Sequence, residues 1–248
     1  RLAAIPSQSA EDAQRRLEAV VAHPPFTQPV QRAQDLPDAA SMRFEAGAFV
    51  GREWQAFLRG EAGDADGFRE AIRVAEEMVN VFDENQRKTW GQLAAEENEL
   101  KRREVGGLVY ESWGSPDDVE GTPIHAAIWR YPLLNEVGAS GWILAAANFE
   151  LGNTAEAKRW IREVVTKWPL HQINDPGQNG YWNALISWEL NPGNNPRDRR
   201  MGPLYREVLR ELGQSRAAPK TVPVEEIRRT GEPGKEEPKK EDDGGKEQ

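Results

Sequence analysis

The stretch GNTAEAKRWIREVVTKWP, residues 152–169, marks both ends of one helix. Gly152 can take the left-handed conformation that closes a preceding helix, because it has no Cβ to clash. Asn153 and Glu156 have the spacing of a capping box, which predicts that a new helix begins there. Pro169 cannot continue that helix, since it lacks the amide hydrogen and its ring collides with the previous turn. The stretch therefore predicts a single helix between a glycine turn and a proline stop.

A second helix is predicted directly before this turn. The segment ASGWILAAANFEL, residues 139–151, is apolar and helix-favouring and includes Trp142, Leu144 and Ala145. Ala145 and Ala157 are small enough to let the axes of two neighbouring helices approach closely. The two segments together predict a pair of packed helices joined at the glycine turn.

Residues 138–171 resemble a tetratricopeptide repeat, a unit of about 34 residues made of two antiparallel helices. In that family a large residue begins the first helix, a small one follows, glycine marks the turn, a small residue opens the second helix and proline ends it. The positions that match this pattern are Trp142, Leu144, Ala145, Gly152, Ala157 and Pro169. A single pair of helices cannot bury its faces alone, so the resemblance implies stacking of about three pairs or more.

Residues 39–82 resemble the same unit less closely. Ala71 has the position of the small residue in the second helix, but Asp66 stands where glycine is expected and Asp83 where proline is expected. Asp66 is also expected to cap the second of these helices. The fold class that we expect is all-α: stacked antiparallel helical hairpins of the tetratricopeptide-like, α-solenoid type.

The rest of the central region continues in helices. Leu100 lies in a highly charged helical segment that loses helical character at Gly106. Pro132 is expected to end or kink the helix that begins near His125, and Pro203 is expected in the first turn of the closing helix. No segment alternates apolar and polar residues with β-branched side chains, so no strand is expected.

Three regions differ in composition. Residues 1–37 contain one predicted helix, Glu11 to Ala22, followed by a proline-rich strap. Residues 38–213 form the predicted helical domain. Residues 214–248 have no aromatic side chain and many charges, and we expect this tail to be disordered because it has little apolar surface to bury.

The composition excludes several classes of function. A net charge of −9 argues against binding to nucleic acid through its phosphates. No apolar run approaches the roughly 20 residues of a membrane span. Without cysteine the chain has no disulfide and no thiolate nucleophile. The first residue is Arg1, which fits a removed signal segment or a shortened chain, and both an exported and a cytoplasmic location stay open.

Motifs for catalysis and for metal binding are missing. His23, His125 and His171 are far apart and have no metal-binding spacing. There is no phosphate-binding glycine loop and no serine-nucleophile elbow. We therefore expect no cofactor and no metal, and we favour a non-enzymatic protein.

Nine tryptophans are an unusual number, and seven of them lie between residues 113 and 188. Trp142 and Trp160 lie in apolar helical patterns, which favours a role in the core. The alternative is a glycan-binding or glycan-hydrolysing helical domain, in which tryptophans line a cleft beside a pair of carboxylates. The residues that would serve this alternative are Asp117, Asp118, Glu120, Tyr131, Glu136, Asp175, Tyr181 and Trp182.

A polar and aromatic loop is the first candidate for a binding site. Amide, carboxylate and aromatic groups come together in it, and such groups suit peptide or glycan recognition. The candidate residues are Asn174, Asp175, Gln178, Asn179, Tyr181, Trp182 and Asn183. The function that we expect is a helical-repeat scaffold or adaptor that binds another protein. Within a larger assembly, an exposed Trp113 or Trp188 would anchor the interface.

Overall fold

In a computed structural model of the chain, residues 38–109, 123–175, 180–190 and 196–222 are described. Eight helices account for most of these residues, which confirms the predicted helical class. They are α1 (Asp38–Glu61), α2 (Ala65–Asn80), α3 (Trp90–Val105), α4 (Pro123–Arg130), α5 (Pro132–Glu150), α6 (Thr154–Lys167), α7 (Ala184–Leu190) and α8 (Pro196–Glu211). The predicted helix at residues 11–22 and the proline-rich strap lie outside the described residues.

Six short strands form three two-stranded ladders. The strands are β1 (Phe82–Asp83), β2 (Lys88–Thr89), β3 (Leu108–Val109), β4 (Ile173–Asp175), β5 (Gly180–Trp182) and β6 (Lys220–Thr221). β1 pairs with β2 and β4 with β5 in antiparallel fashion, whereas β3 and β6 are parallel. The expectation of no strand is wrong at these places, because strands of two or three residues are too short to show an alternating pattern.

Helices α1 and α2 approach each other at a pair of glycines. A Cβ at Gly67 would lie 2.4 Å from the Gly60 nitrogen and 2.6 Å from the Ala56 carbonyl oxygen, so the two backbones are in contact. The carboxylate of Asp64 accepts a hydrogen bond from the amide of Asp66 at 3.0 Å and caps α2. The prediction that Asp66 is the cap is wrong, because α2 already begins at Ala65 and Asp66 lies in its first turn.

The turn between α5 and α6 has the backbone that the sequence predicts. Gly152 is left-handed, with φ of 78°. The predicted capping box of Asn153 and Glu156 is wrong: Asn153 makes no side-chain cap bond, and its side-chain Nδ2 instead donates to Asn148 Oδ1 at 3.3 Å. Helix α6 ends at Lys167, two residues before Pro169, in agreement with the predicted stop.

Helix α5 lies at the centre of the described structure. It contacts α1, α2, α3 and α6, and it is buried along nearly its whole length. Pro132 is its first residue and ends the preceding helix α4, as expected. A helix that is apolar on all sides is stable only when neighbours surround it, so α5 needs all four contacts.

Aromatic side chains join α1 and α2 to α5. Trp54 stacks on Trp142 with ring centroids 5.4 Å apart, and Phe57 lies at the same distance from Trp142. On its other side Trp142 meets Trp182 of β5 edge to face at 5.5 Å. Trp142 and Trp160 are buried, which confirms their predicted role in the core.

The C-terminal part departs from the prediction in two ways. Helix α8 begins at Pro196, so Pro203 lies inside the helix rather than in its first turn, and that expectation is wrong. The described structure also continues through residue 222, beyond the predicted start of the tail at 214. There β6 pairs with β3, and the amide of Val222 donates to the Val109 carbonyl at 2.9 Å. Residues 223–248 lie outside the described residues.

Glu53 of α1 is a carboxyl group inside this core. It is fully buried, and the hydroxyl of Ser140 on α5 donates to its Oε1 at 3.0 Å. Among the described residues its Oε2 has no hydrogen-bond partner. Burial raises the pKa of Glu53 to about 8, against the opposing effect of the Ser140 hydrogen bond. The carboxyl group is therefore protonated at neutral pH.

Glu53→Gln should flatten part of the pH dependence of stability. An unfolded chain ionises this group near pH 4.5, whereas the folded chain keeps the proton until about pH 8, so the wild type loses stability as the pH rises across that interval. The amide variant has no such proton to lose. Urea denaturation of both chains between pH 4.5 and 8 should show that the free energy of unfolding of the variant increases relative to that of the wild type as the pH rises. A constant difference would contradict the buried, protonated carboxyl group.

Gly138→Ala should destabilise the fold. A Cβ at Gly138 would lie 2.3 Å from the Cβ of His171, a buried side chain with no room to move away. We expect a loss of about 1–3 kcal/mol in the free energy of unfolding, measured by urea denaturation. Gly47→Ala in α1 is the matched control, since a Cβ there meets nothing within 4 Å, and it should gain about 0.5–1 kcal/mol. Equal effects of the two variants would contradict this contact.

Candidate functional site

The predicted binding loop includes a short antiparallel hairpin. In it Asn174 is opposite Tyr181 and Asp175 is opposite Gly180. The side chains of Tyr181, Trp182 and Asn183 are buried, so they belong to the interior of the described structure. Gln178 and Asn179 lie outside the described residues. Binding by the remaining candidates stays a prediction: Asn174, Asp175, Gln178 and Asn179.

Asn183 holds together the chain on both sides of this hairpin. Its Nδ2 donates to the carbonyl of Pro169 at 3.0 Å and to that of His171 at 2.7 Å. Its Oδ1 accepts from the amides of Leu185 and Ile186 at the start of α7, at 2.9 and 3.3 Å. These four bonds use both hydrogens of Nδ2 and both acceptor sites of Oδ1. Asn183 therefore stabilises the fold.

Residues 169–172 form a buried, non-helical segment that crosses the core after α6. Asn98 Oδ1 of α3 accepts from the Leu170 amide at 2.9 Å, and Lys101 Nζ donates to the Leu170 carbonyl at 2.9 Å. Asn135 Oδ1 of α5 accepts from the Gln172 amide at 2.9 Å. With the two bonds of Asn183, side chains from α3, α5 and the start of α7 satisfy a backbone that has no regular structure of its own.

His171 is neutral in this segment. Its Nδ1 lies 2.7 Å from the Trp168 carbonyl, which can only accept, and the amide of Ala184 donates to its Nε2 at 3.1 Å. The first contact requires a proton on Nδ1 and the second a free lone pair on Nε2. Burial lowers the pKa of His171 to about 4, although the bond to Trp168 acts in the opposite direction. His171 is therefore a structural residue at neutral pH.

Two more side chains near this segment have shifted pKa values. Burial lowers the pKa of Lys101 to about 7, and Glu104 and Glu97 oppose the shift. Burial raises the pKa of Glu97 to about 7, although its Oε2 accepts from the Leu134 amide at 2.7 Å. Shifted groups often mark active sites, but neither of these lines the open groove described below. Glu97 caps the first turn of α5 from outside that helix.

The tryptophans offer little surface to a glycan. Among those described, Trp129 alone is exposed, at 44%, and its ring meets Tyr181 edge to face. The described tryptophans that are buried are Trp54, Trp90, Trp142, Trp160, Trp168, Trp182 and Trp188. The expectation that Trp188 is an exposed interface anchor is wrong, and Trp113 lies outside the described residues, with Asp117, Asp118 and Glu120. The described tryptophans therefore do not form the exposed aromatic cleft that a glycan site would require.

An open groove lies on the described surface. Residues of α2, α3 and α6, with the strand β2, line it, and we call it the α2–α3–α6 groove. Its volume is about 1150 Å³, which exceeds the usual 300–1,000 Å³ or so of small-ligand pockets. Helix α3 has two different faces here. Asn98 and Lys101 are buried on the face toward the core, whereas Glu99 and Leu100 line the groove on the other face.

Apolar side chains form part of the lining of the groove. Trp168 lies against Gly91, and its Nε1 donates to the Gly91 carbonyl at 3.0 Å. A side chain at position 91 would crowd Val79 and Trp168, so glycine lets the indole reach α3. The guanidinium of Arg159 lies 4.2 Å above the ring of Trp160. Leu100 is 51% exposed and presents the largest free apolar surface in the groove.

The rim of the groove is charged, and most of its charges are paired. Lys88 pairs with Glu96, and Lys167 pairs with Glu163. Across the groove, Arg159 of α6 approaches Glu76 of α2 at 3.5 Å. An exposed apolar side chain surrounded by polar and charged ones is common in protein-binding surfaces.

The described residues offer no evident chemistry for catalysis in the groove. They include no group of three or more His, Asp or Glu side chains that could hold a metal ion. Glu53, Glu97, Lys101 and His171, whose pKa values are strongly shifted, do not line the groove. Among the described helices, none has both the length and the apolar character that crossing a membrane requires.

Comparison of the chain with known proteins adds no family. No protein-family model, no curated protein and no solved structure matches it. The function is therefore inferred from the geometry of the groove.

Asn183→Ala should destabilise the protein, because Asn183 is part of the fold rather than of a surface site. The variant leaves the carbonyls of Pro169 and His171 buried without a donor, and we expect a loss of about 2 kcal/mol or more in the free energy of unfolding. Urea denaturation measures this loss. Asn174→Ala in the neighbouring strand is the comparison, and a larger loss there would contradict the role of Asn183.

Proposed function

We propose that this protein is a non-enzymatic helical scaffold that binds a segment of a partner protein in the α2–α3–α6 groove. The observation that carries the proposal is Leu100, a half-exposed apolar side chain among the charged residues that line the groove. Exposed apolar side chains inside a polar ring are typical energetic centres of protein interfaces, since a partner excludes water from them.

The arrangement of the helices supports a scaffold. We propose that the pairs α1–α2 and α5–α6 are stacked antiparallel hairpins of the tetratricopeptide-like type, in which the turn at Gly152 and the stop at Pro169 set the length of one unit. Stacked pairs of this kind leave open grooves between rigid helices. The residues after 222 would then serve as a tether or spacer.

The size and composition of the groove favour a protein segment over a small ligand. The groove is open and is lined by three helices, and several of its charges already have partners. A glycan would need exposed aromatic faces, and the tryptophans of the groove present little of theirs because Trp160 is 4% and Trp168 1% exposed. We therefore propose protein binding alone.

Photo-crosslinking tests the location of the site. A photoreactive amino acid replaces Glu99 on α3 or Glu163 on α6, both in the groove, and Asp66 at the far end of α2 serves as the control position. In cells of the source organism both groove positions should capture the same protein and the control should not. Capture at Asp66 alone, or at none of these positions, would contradict the proposal.

Leu100→Ser should weaken binding of the captured protein, purified and added back. We expect the dissociation constant to rise about tenfold, because the variant removes the exposed apolar side chain that a partner would cover. Phe82→Ser is the matched control: Phe82 is also exposed, at 58%, but does not line the groove, so its dissociation constant should stay within about twofold. Isothermal titration calorimetry measures both, and thermal melting checks that both variants fold.

A further inference from the structure

The backbone of the groove walls restricts the conformation of what can bind there. Helices α2, α3 and α6 form the walls, and in helices the amides and carbonyls are bonded within the helix. Among the lining residues, only the two residues of β2 and Trp168, which follows α6, lie outside these helices. An extended peptide would find almost no backbone partners and would leave its own amides and carbonyls unpaired against the walls. A helix satisfies these groups internally, so a helix fits this groove better.

The charges of the rim restrict the chemistry of that helix. Glu76, Glu96 and Glu163 are paired inside the groove, as described above. Glu99 is paired from outside it, since Arg102 approaches its carboxylate at 3.3 Å. Among the described residues, Arg103 is the one charged rim side chain that has no ion-pair partner. The groove therefore presents one free positive charge, one helical turn from Leu100.

We infer that the groove binds an amphipathic helix of a partner protein, which packs an apolar side chain on Leu100 and sets an acidic side chain beside Arg103. The inference rests on the proposed function and specifies the partner. Leu100 and Arg103 are three residues apart on α3, so they lie on the same face of that helix. A partner helix needs an apolar and an acidic residue with a spacing of three or four to meet both.

A second copy of this chain is a poorer occupant. The chain carries a net charge of −9, so two copies repel each other at long range. A separate protein needs only one acidic residue at the right place on its helix. The attraction of that residue to Arg103 is short in range and should weaken as salt is added.

The capture experiment also tests the conformation of the partner. Crosslinks from Glu99 and from Glu163 are mapped to single residues of the captured protein. Partner residues separated by three, four or seven positions support a bound helix, whereas captured residues in an alternating pattern overturn it. Crosslinks to residues 1–37 of this chain, or to a second copy, overturn the choice of occupant.

Charge reversal tests the acidic contact with the full chain and the purified partner. Arg103→Glu should raise the dissociation constant about fivefold at low salt and less at high salt. Arg69→Glu is the control with the same change of charge, since Arg69 is exposed on α2 outside the groove, and it should have little effect. Replacing the partner's acidic residue by lysine should restore binding to the Arg103→Glu variant and weaken binding to the wild type.

The outcomes separate this inference from the proposed function. If Leu100→Ser weakens binding while Arg103→Glu does not, the groove is the binding site but the acidic contact is wrong. If Arg103→Glu weakens binding and no charge reversal in the partner restores it, the inference is also overturned. If neither variant changes the affinity of the captured protein, the proposed function itself fails.

Discussion

The described structure depends on a short piece of buried backbone that has no regular structure. From the Pro169 carbonyl to the Gln172 amide, each donor and acceptor finds a partner inside the protein. Most of these partners are side chains, because neither a helix nor a ladder is there to provide them. An unpaired buried amide or carbonyl costs about 1–3 kcal/mol, so losing even two of these bonds would consume much of the stability of an ordinary domain.

The same segment connects the core to the groove. Trp168 directly follows α6. Its carbonyl accepts the hydrogen bonds from His171, and its indole donates to the Gly91 carbonyl of α3. Asn98 and Lys101 hold the following residues against the other face of α3. Helix α3 is thus fixed on its inner side, and its outer side is left to line the groove. A binding surface on rigid helices loses little entropy when a partner docks.

The sequence predicts features that depend on neighbouring residues. Gly152 closes α5 and Pro169 limits α6 because the backbone of one residue decides each end. Contacts between residues far apart in the sequence cannot be predicted in this way. Asn98 and Leu170, which share a hydrogen bond, are 72 positions apart. The ladder of β3 and β6 likewise brings the chain after residue 213 back to Val109. Asn183 is an example. In the sequence it is a polar side chain beside an aromatic loop and resembles a binding residue, whereas in the structure its four hydrogen bonds are all made inside the protein.

Leu100 shows why the groove is hidden in the sequence. In a helical segment with Trp90, Leu93 and Ala94, a leucine would ordinarily be assigned to the core, and the other three are buried. Leu100 lies on a different face of the helix from these residues. Trp90, Ala94 and Lys101 are buried on the inner face, whereas Leu100 lies between Glu96 and Arg103 on the outer face. Whether an apolar residue is core or binding surface is decided by which helices pack on that face. Here α5 covers one face of α3, and the other face lines the open groove.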